Sequence, residues 1–159
     1  MEQGRVQIYY GAGQGKSSAA LGNAIRKAGK GGSVCVVQFM KGNFEQEFLS
    51  RLEPDIKFFR FERSDEAYDD LPEEERLDEQ KNIRNGLNFA KKVLTTGECD
   101  MLVLDEIFGV IDEGIITADE LLNVLNTRSL FTDIIMTGRN LPEELKVTAD
   151  EIICVSKEL

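Results

Sequence analysis

The sequence contains no histidine, no apolar run approaching the roughly 20 residues that a bilayer-crossing helix needs, and no excess of positive charge. Without histidine the commonest general base near neutral pH and the commonest metal ligand are both missing, so any chemistry must avoid proton transfer or rely on carboxylates and lysines. The missing apolar run argues against a membrane partner. The opening MEQGRVQ also lacks the basic-then-apolar form of a signal peptide, so a cytoplasmic protein is expected. Cysteine is scarce: Cys35, Cys99 and Cys154 are odd in number, widely spaced, and in or beside predicted strands. That pattern reads as buried free thiols rather than a disulfide or a metal site. Nineteen basic residues stand against 29 acidic ones, a net charge of −10, which makes nucleic acid a poor candidate partner. Residues 62–79 hold ten acids and two bases, so most of the excess is one local run, read as a solvated loop and helix face. A phosphate-binding loop elsewhere need not feel it beyond a Debye length of about 8 Å.

What is present suits a single domain spanning 1–159, with 42% apolar and 30% charged residues, enough to bury a core, and no repeat or linker. An apolar run at 6–10 feeds Gly11-Ala12-Gly13-Gln14-Gly15-Lys16-Ser17-Ser18, and a helical run follows at 19–28. A strand that delivers a glycine loop onto a helix start is how proteins hold a polyphosphate. The unpartnered N–H groups of the first turn converge there, and the helix dipole adds partial positive charge. Lys16 supplies a point charge for the outer phosphates and Ser17 a hydroxyl for magnesium. Gly11 and Gly15 enclose three residues where G-x-x-x-x-G-K-[ST] has four, so the loop is one residue short.

Leu21, Ile25 and Ala28 recur at helical spacing, Gly29, Gly31 and Gly32 stop the helix, and 34–40 is a continuous apolar strand of the kind buried on both faces. A short helix at 45–52 and a strand at 56–61 follow. A long helix runs from Pro72 to Gly97, with Glu73, Glu74 and Glu75 suited to its dipole and Ile83, Leu87, Ala90 and Leu94 as its stripe. Residues 100–107 read as a buried strand ending in two carboxylates. Thr117 to Glu120 form a capping box opening a helix through Leu125, and 132–137, 142–146 and 151–155 give a strand, a short helix and a last strand. Strands alternating with helices predict a three-layer α/β fold of the P-loop NTPase, RecA-like kind, with a mostly parallel sheet of five to six strands and helices on both faces.

Asp105 and Glu106 fall at the carboxyl end of their strand, the edge where open parallel sheets bind ligands. Magnesium takes one or two carboxylates plus phosphate oxygens, which such acids beside Ser17 would complete; alone, they equally suit a solvated or capping pair. Arg139, in Thr137-Gly138-Arg139, reaches the same edge and suits either a phosphate or an ion pair with Glu143 or Glu144. Gln38, Lys41 and Asn43 form a further polar cluster on that rim, with Gln38 nearest the strand end.

The shortened G-x-G-x-G-K-S-S loop, A-A-L-G after it, V-V-Q-F-M-K-G at 36–42, L-V-L-D-E-I at 102–107, and T-G-R-N-L-P-E-E-L with A-D-E-I at 137–152 resemble the P-loop type ATP:corrinoid adenosyltransferases nearly end to end. The resemblance implies transfer of the 5′-deoxyadenosyl group of ATP to the cobalt of a reduced corrinoid, forming adenosylcobalamin and releasing triphosphate. It further implies that loop 11–18 holds the triphosphate, that Ser17 and Glu106 hold magnesium, and that Lys16 neutralises the leaving group. With the strand-end residues above, the candidate site is loop 11–18 with Gln38 and Arg139 for the nucleotide, Ser17, Glu106 and Asp105 for magnesium, and Lys16 and Glu106 for catalysis. A homodimer and a flavoprotein reductant are implied partners. Two departures stand out: the family's Gly-Phe-Thr-Trp type segment is replaced by Phe58-Phe59-Arg60-Phe61-Glu62-Arg63-Ser64 in a chain without tryptophan, and no Lys-His tail follows the last strand. Phe59 or Phe61 could replace the corrin-facing aromatics or simply fill the strand core. Two other readings stay open: a P-loop ATPase or kinase using Glu106 beside the γ-phosphate, and a non-catalytic ATP-binding regulator or corrinoid carrier.

Overall fold

The computed structural model describes residues 3–40, 46–61 and 67–159. Lys41, Asn43 and Glu45, and Glu62, Arg63 and Ser64, all named above, lie outside the described residues. In chain order the elements are β1 (Val6–Tyr10), α1 (Lys16–Gly29), β2 (Val34–Gln38), α2 (Gln46–Leu49), β3 (Ile56–Arg60), α3 (Glu73–Thr96), β4 (Met101–Asp105), α4 (Ile107–Asp112), α5 (Ala118–Leu125), β5 (Asp133–Gly138) and β6 (Glu151–Cys154). Short 3-10 turns follow α2 (Ser50–Leu52), precede α3 (Tyr68–Asp70) and link β5 to β6 (Glu143–Thr148). The strands form one six-stranded sheet in the order β3-β2-β4-β5-β1-β6, and every pairing is parallel. The fold is the expected P-loop NTPase-type α/β arrangement, wholly parallel rather than mostly so.

Alternation along the central strands divides the core in two. Cys35 and Val37, with Leu102 and Leu104, face α3 and α5 in the larger cluster, which also holds Ile83, Leu87, Ala90 and Leu94 of the predicted α3 stripe. Val34, Val36, Met101 and Val103 face α1, where Ala20 and Ala24 let the helix lie close to the strands. This second layer positions the start of α1 over the carboxyl ends of the strands. No helix among the described residues is long and apolar enough to cross a membrane.

Several boundaries move for local reasons. Helix α1 starts at Lys16, because the lysine and two serines follow a left-handed glycine cap and already belong to the first turn. Strand β2 stops at Gln38, and the predicted 142–146 helix is a 3-10 turn over Glu143–Thr148. Strand β4 stops at Asp105, since Glu106 adopts φ 60° and turns the chain directly into α4, a short helix not expected from the sequence, whose first residue Ile107 had been placed in the strand. The expected free thiols are also corrected. Cys35 on β2 and Cys99 before β4 meet as a disulfide, Cα to Cα 6.3 Å, because their strands are neighbours although 64 residues separate them. Cys154 is free but exposed at the end of edge strand β6.

The capping box at α5 is one-sided. Thr117 accepts the Glu120 N–H at 3.1 Å, while the Glu120 carboxylate turns to Arg84 at 3.0 Å instead of back to the cap. Thr117→Ala is therefore expected to cost about 1 kcal/mol of stability, read from the shift in urea midpoint at constant m-value.

Candidate nucleotide site

Strand β1 carries the chain to Gly11, where φ is 126° and the loop begins. The Gly11 N–H donates to the carbonyls of Gly138 (3.2 Å) and Arg139 (3.0 Å) at the end of β5, and the Gly13 N–H donates to Val155 O (2.9 Å) after β6. A Cβ at Gly13 would lie 2.9 Å from the Ser156 carbonyl carbon, so this half of the loop is wedged between neighbouring chain segments. The other half stays open. Gly15, at φ 104°, caps α1 with no side-chain hydrogen bond, and the first turn carries no acidic residue. By helix geometry the N–H groups of Gly15, Lys16, Ser17 and Ser18 have no intrahelical acceptor, and the first turn itself brings no carboxylate to them.

Lys16 Nζ donates to Gly11 O and Gly13 O, each at 2.7 Å, and so bridges the short loop from inside. Ser17 Oγ donates to the Asp105 carboxylate at 2.8 and 3.0 Å. Asp105, only 4% exposed, also accepts the Thr137 hydroxyl at 2.7 Å, and Thr137 Oγ1 in turn accepts the Glu106 N–H at 2.8 Å. This chain ties α1, β4 and β5 together. Glu106 then faces a cleft of about 750 Å³ walled by Ala12, Gly13, Gln14, Gly15, Lys16, Ser17 and Ser18. Burial first, then the Asp105 charge, pushes the Glu106 carboxyl above its ordinary range, with Lys16 opposing and Asp112 adding a smaller push.

The other expected site residues are placed unevenly. Gln38 is 1% exposed, sealed on the α1 face beside Asp105 rather than standing on an open rim. Arg139 is exposed and forms no ion pair among the described residues, because Glu143 turns to Lys146 at 2.9 Å. Phe59 and Phe61 pack on Phe89, ring centroids 4.4 and 5.8 Å apart, under α3. Sequence reasoning missed the Thr137 hydroxyl as the link between the two acids. Its signal was a threonine at the end of the strand that pairs with both β1 and β4.

A hydroxyl and two carboxylates make a hard-oxygen donor set. Among the described residues no three His, Cys, Asp or Glu side chains form a metal cage. Magnesium generally keeps waters and phosphate oxygens as most of its ligands and takes few from protein.

The fold and the loop define an α/β domain of the P-loop NTPase type. The flagellar accessory protein FlaH from Methanocaldococcus jannaschii shares the fold, with TM-score 0.63 and 19% identity over 97% of this chain and 72% of that one. The profile of ATP:corrinoid adenosyltransferase BtuR/CobO/CobP matches residues 2–158, and the chain belongs to that family. The corrinoid adenosyltransferase of Escherichia coli (strain K12) is 30% identical over 151 residues, 95% of this chain and 76% of the relative. Corrinoid adenosyltransferase CobA of Salmonella typhimurium is 28% identical with the same coverage.

A carboxyl whose folded-state pKa is raised favours folding most fully below its unfolded pKa, and that contribution fades as pH rises through the folded value. Glu106→Gln does not ionise. The melting temperature of Glu106→Gln relative to the parent chain should therefore climb between pH 4 and pH 7; a difference that stays flat or falls would contradict the buried-carboxylate assignment.

Proposed function

We propose that this corrinoid adenosyltransferase moves the 5′-deoxyadenosyl group of ATP to the cobalt of a reduced corrinoid and releases intact triphosphate. The carrying observation is the open first turn of α1, with Lys16 and Ser17 on it and Glu106 across the cleft. Cobalt(I) donates its electron pair to C5′, the cobalt–carbon bond forms, and the C5′–O bond breaks with its pair leaving on triphosphate. No proton moves in that step, so a chain without histidine loses nothing. Alignment and stabilisation of the departing negative charge are what the step requires.

In this reading the N–H groups at 14–18 and Lys16 hold the triphosphate, the ammonium exchanging its two loop carbonyls for phosphate oxygens. Gly11, Ala12 and Gly13 set the curvature, and Arg139, without an ion pair among the described residues, adds a second cation at the same edge. Gln38 acts from behind the cleft, beside Asp105. Ser17 and Glu106 would hold magnesium with Asp105 orienting the serine; the ion, when bound, neutralises the polyphosphate. A reductant of flavoprotein type supplies the electrons, in a cytoplasmic reaction served by a homodimer. The competing reading, ATP hydrolysis or phosphoryl transfer, draws on the same Glu106 with its raised pKa beside the outer phosphates.

Protein, Mg-ATP and a chemically reduced corrinoid should yield a light-sensitive alkylcobalt product and stoichiometric triphosphate; orthophosphate without alkylated corrinoid would favour hydrolysis instead. Lys16→Ala should lower kcat/KM for ATP by about 10²- to 10³-fold, measured under the same conditions.

A further inference from the structure

Along α1 and its C-cap, Asn23, Arg26, Lys27 and Lys30 recur at i, i+3, i+4 and i+7, a polar stripe beside the Ala20 and Ala24 face that packs on the sheet. Facing it, Gln3, Arg5 and Gln7 alternate into the same space from the start of β1. The two rows wall a cleft of about 410 Å³, which Asp133 and Phe131 also line. Every side chain of both rows carries N–H donors, and Arg5, Arg26, Lys27 and Lys30 are cations. Asp133 is the only carboxylate among the described residues lining the cleft, and it is already engaged. Its Oδ1 accepts the Arg5 main-chain N–H at 2.8 Å and its Oδ2 the Lys27 ammonium at 2.9 Å. Arg5 turns its guanidinium to Glu151 at 3.3 Å, an exposed contact. Arg26 and Lys30 are exposed and form no ion pair among the described residues.

The carbonyl end of α1 presents about half a negative charge, which a single cation would answer, yet three stand there. Holding four cations around one concave space costs mutual repulsion, which an anion between them relieves. The cleft is separate from the glycine loop. Helix α1 has 14 residues, so its two ends lie about 21 Å apart, and the cleft opens at the amino ends of the strands, the edge opposite the loop. We propose that this cleft is a second, non-catalytic site for a polyphosphate anion, free or as the tail of a nucleotide. A polyphosphate carries several charges along one short chain, so it meets the helix row and the strand row together, and the arginine forks take its oxygens in pairs. A monovalent anion would satisfy one row only. Phe131, 49% exposed where it lines the cleft, offers a ring for the base of a nucleotide to lie against.

The test is titration calorimetry of the full chain at about 0.15 M salt, with magnesium-free inorganic triphosphate and, separately, ATP as probes. Lys16→Ala, which weakens the loop, should still bind one triphosphate saturably. Adding Arg26→Gln and Lys30→Gln to that chain should weaken the binding by about fivefold or more. Adding Lys91→Gln and Lys92→Gln instead makes the same charge change at exposed positions of α3, and should alter it by less than about twofold. No saturable binding to Lys16→Ala, or an equal loss from the two double substitutions, overturns the inference. ATP binding no tighter than triphosphate assigns the site to the free anion, and tighter ATP assigns it to a nucleotide; either result, with the loss confined to Arg26 and Lys30, upholds the site.

Discussion

The carboxylate of Asp105 is the constraint on which the rest of the site depends. Placing a carboxylate at 4% exposure is expensive unless hydroxyl or N–H protons point at it. Two do, from Ser17 at the start of α1 and Thr137 on β5. Each hydroxyl has one proton to give. Once Thr137 directs its proton to Asp105, its lone pair is the acceptor available to the Glu106 N–H, and that bond holds a non-glycine residue in left-handed backbone space. One buried acid therefore sets the position of the phosphate loop, the end of β4 and the turn that aims the second acid.

The short loop obeys a related logic. Its first glycines spend their N–H groups on the ends of β5 and on the chain after β6, so they fix the loop to the sheet rather than face a ligand. The donors left for an anion come from the helix end, where they are already oriented and need no reorganisation when charge develops. Lys16 spans the interior by bonding Gly11 O and Gly13 O, a bridge that suits a loop with one residue fewer than usual. Closing the loop and cradling an anion are thus assigned to different residues of the same eight.

Much of this was legible from residue order. Continuous apolar strands, a glycine loop between strand and helix, and acids at a strand end required little more than periodicity to read, and the α3 stripe at Ile83, Leu87, Ala90 and Leu94 faces the core as its spacing implied. Three of the failures share one cause. The Cys35–Cys99 pairing, the burial of Gln38 and the Thr137 link depend on which strands are neighbours, and the order β3-β2-β4-β5-β1-β6 is not written in any local pattern. Helix α4 was lost for a different reason: one left-handed residue separates it from β4, and an apolar run gives no sign of a backbone reversal carried by a glutamate.

The same separation bears on function. A glycine loop, a magnesium-ready hydroxyl and strand-end acids stabilise negative charge on a polyphosphate whether the bond that breaks is P–O or C5′–O. Nothing in the loop itself distinguishes phosphoryl transfer from alkyl transfer. The distinction lies in which nucleophile can stand in line with the breaking bond, and so in what covers the ribose side of the nucleotide. Away from the glycine loop, the ends of β2 and β3 carry the buried Gln38, the Nε of Arg60 without a hydrogen-bond partner, and the rings of Phe59 and Phe61 against Phe89. In the proposed reaction the loop would set the leaving group, and the recognition of an acceptor would have to come from groups outside it.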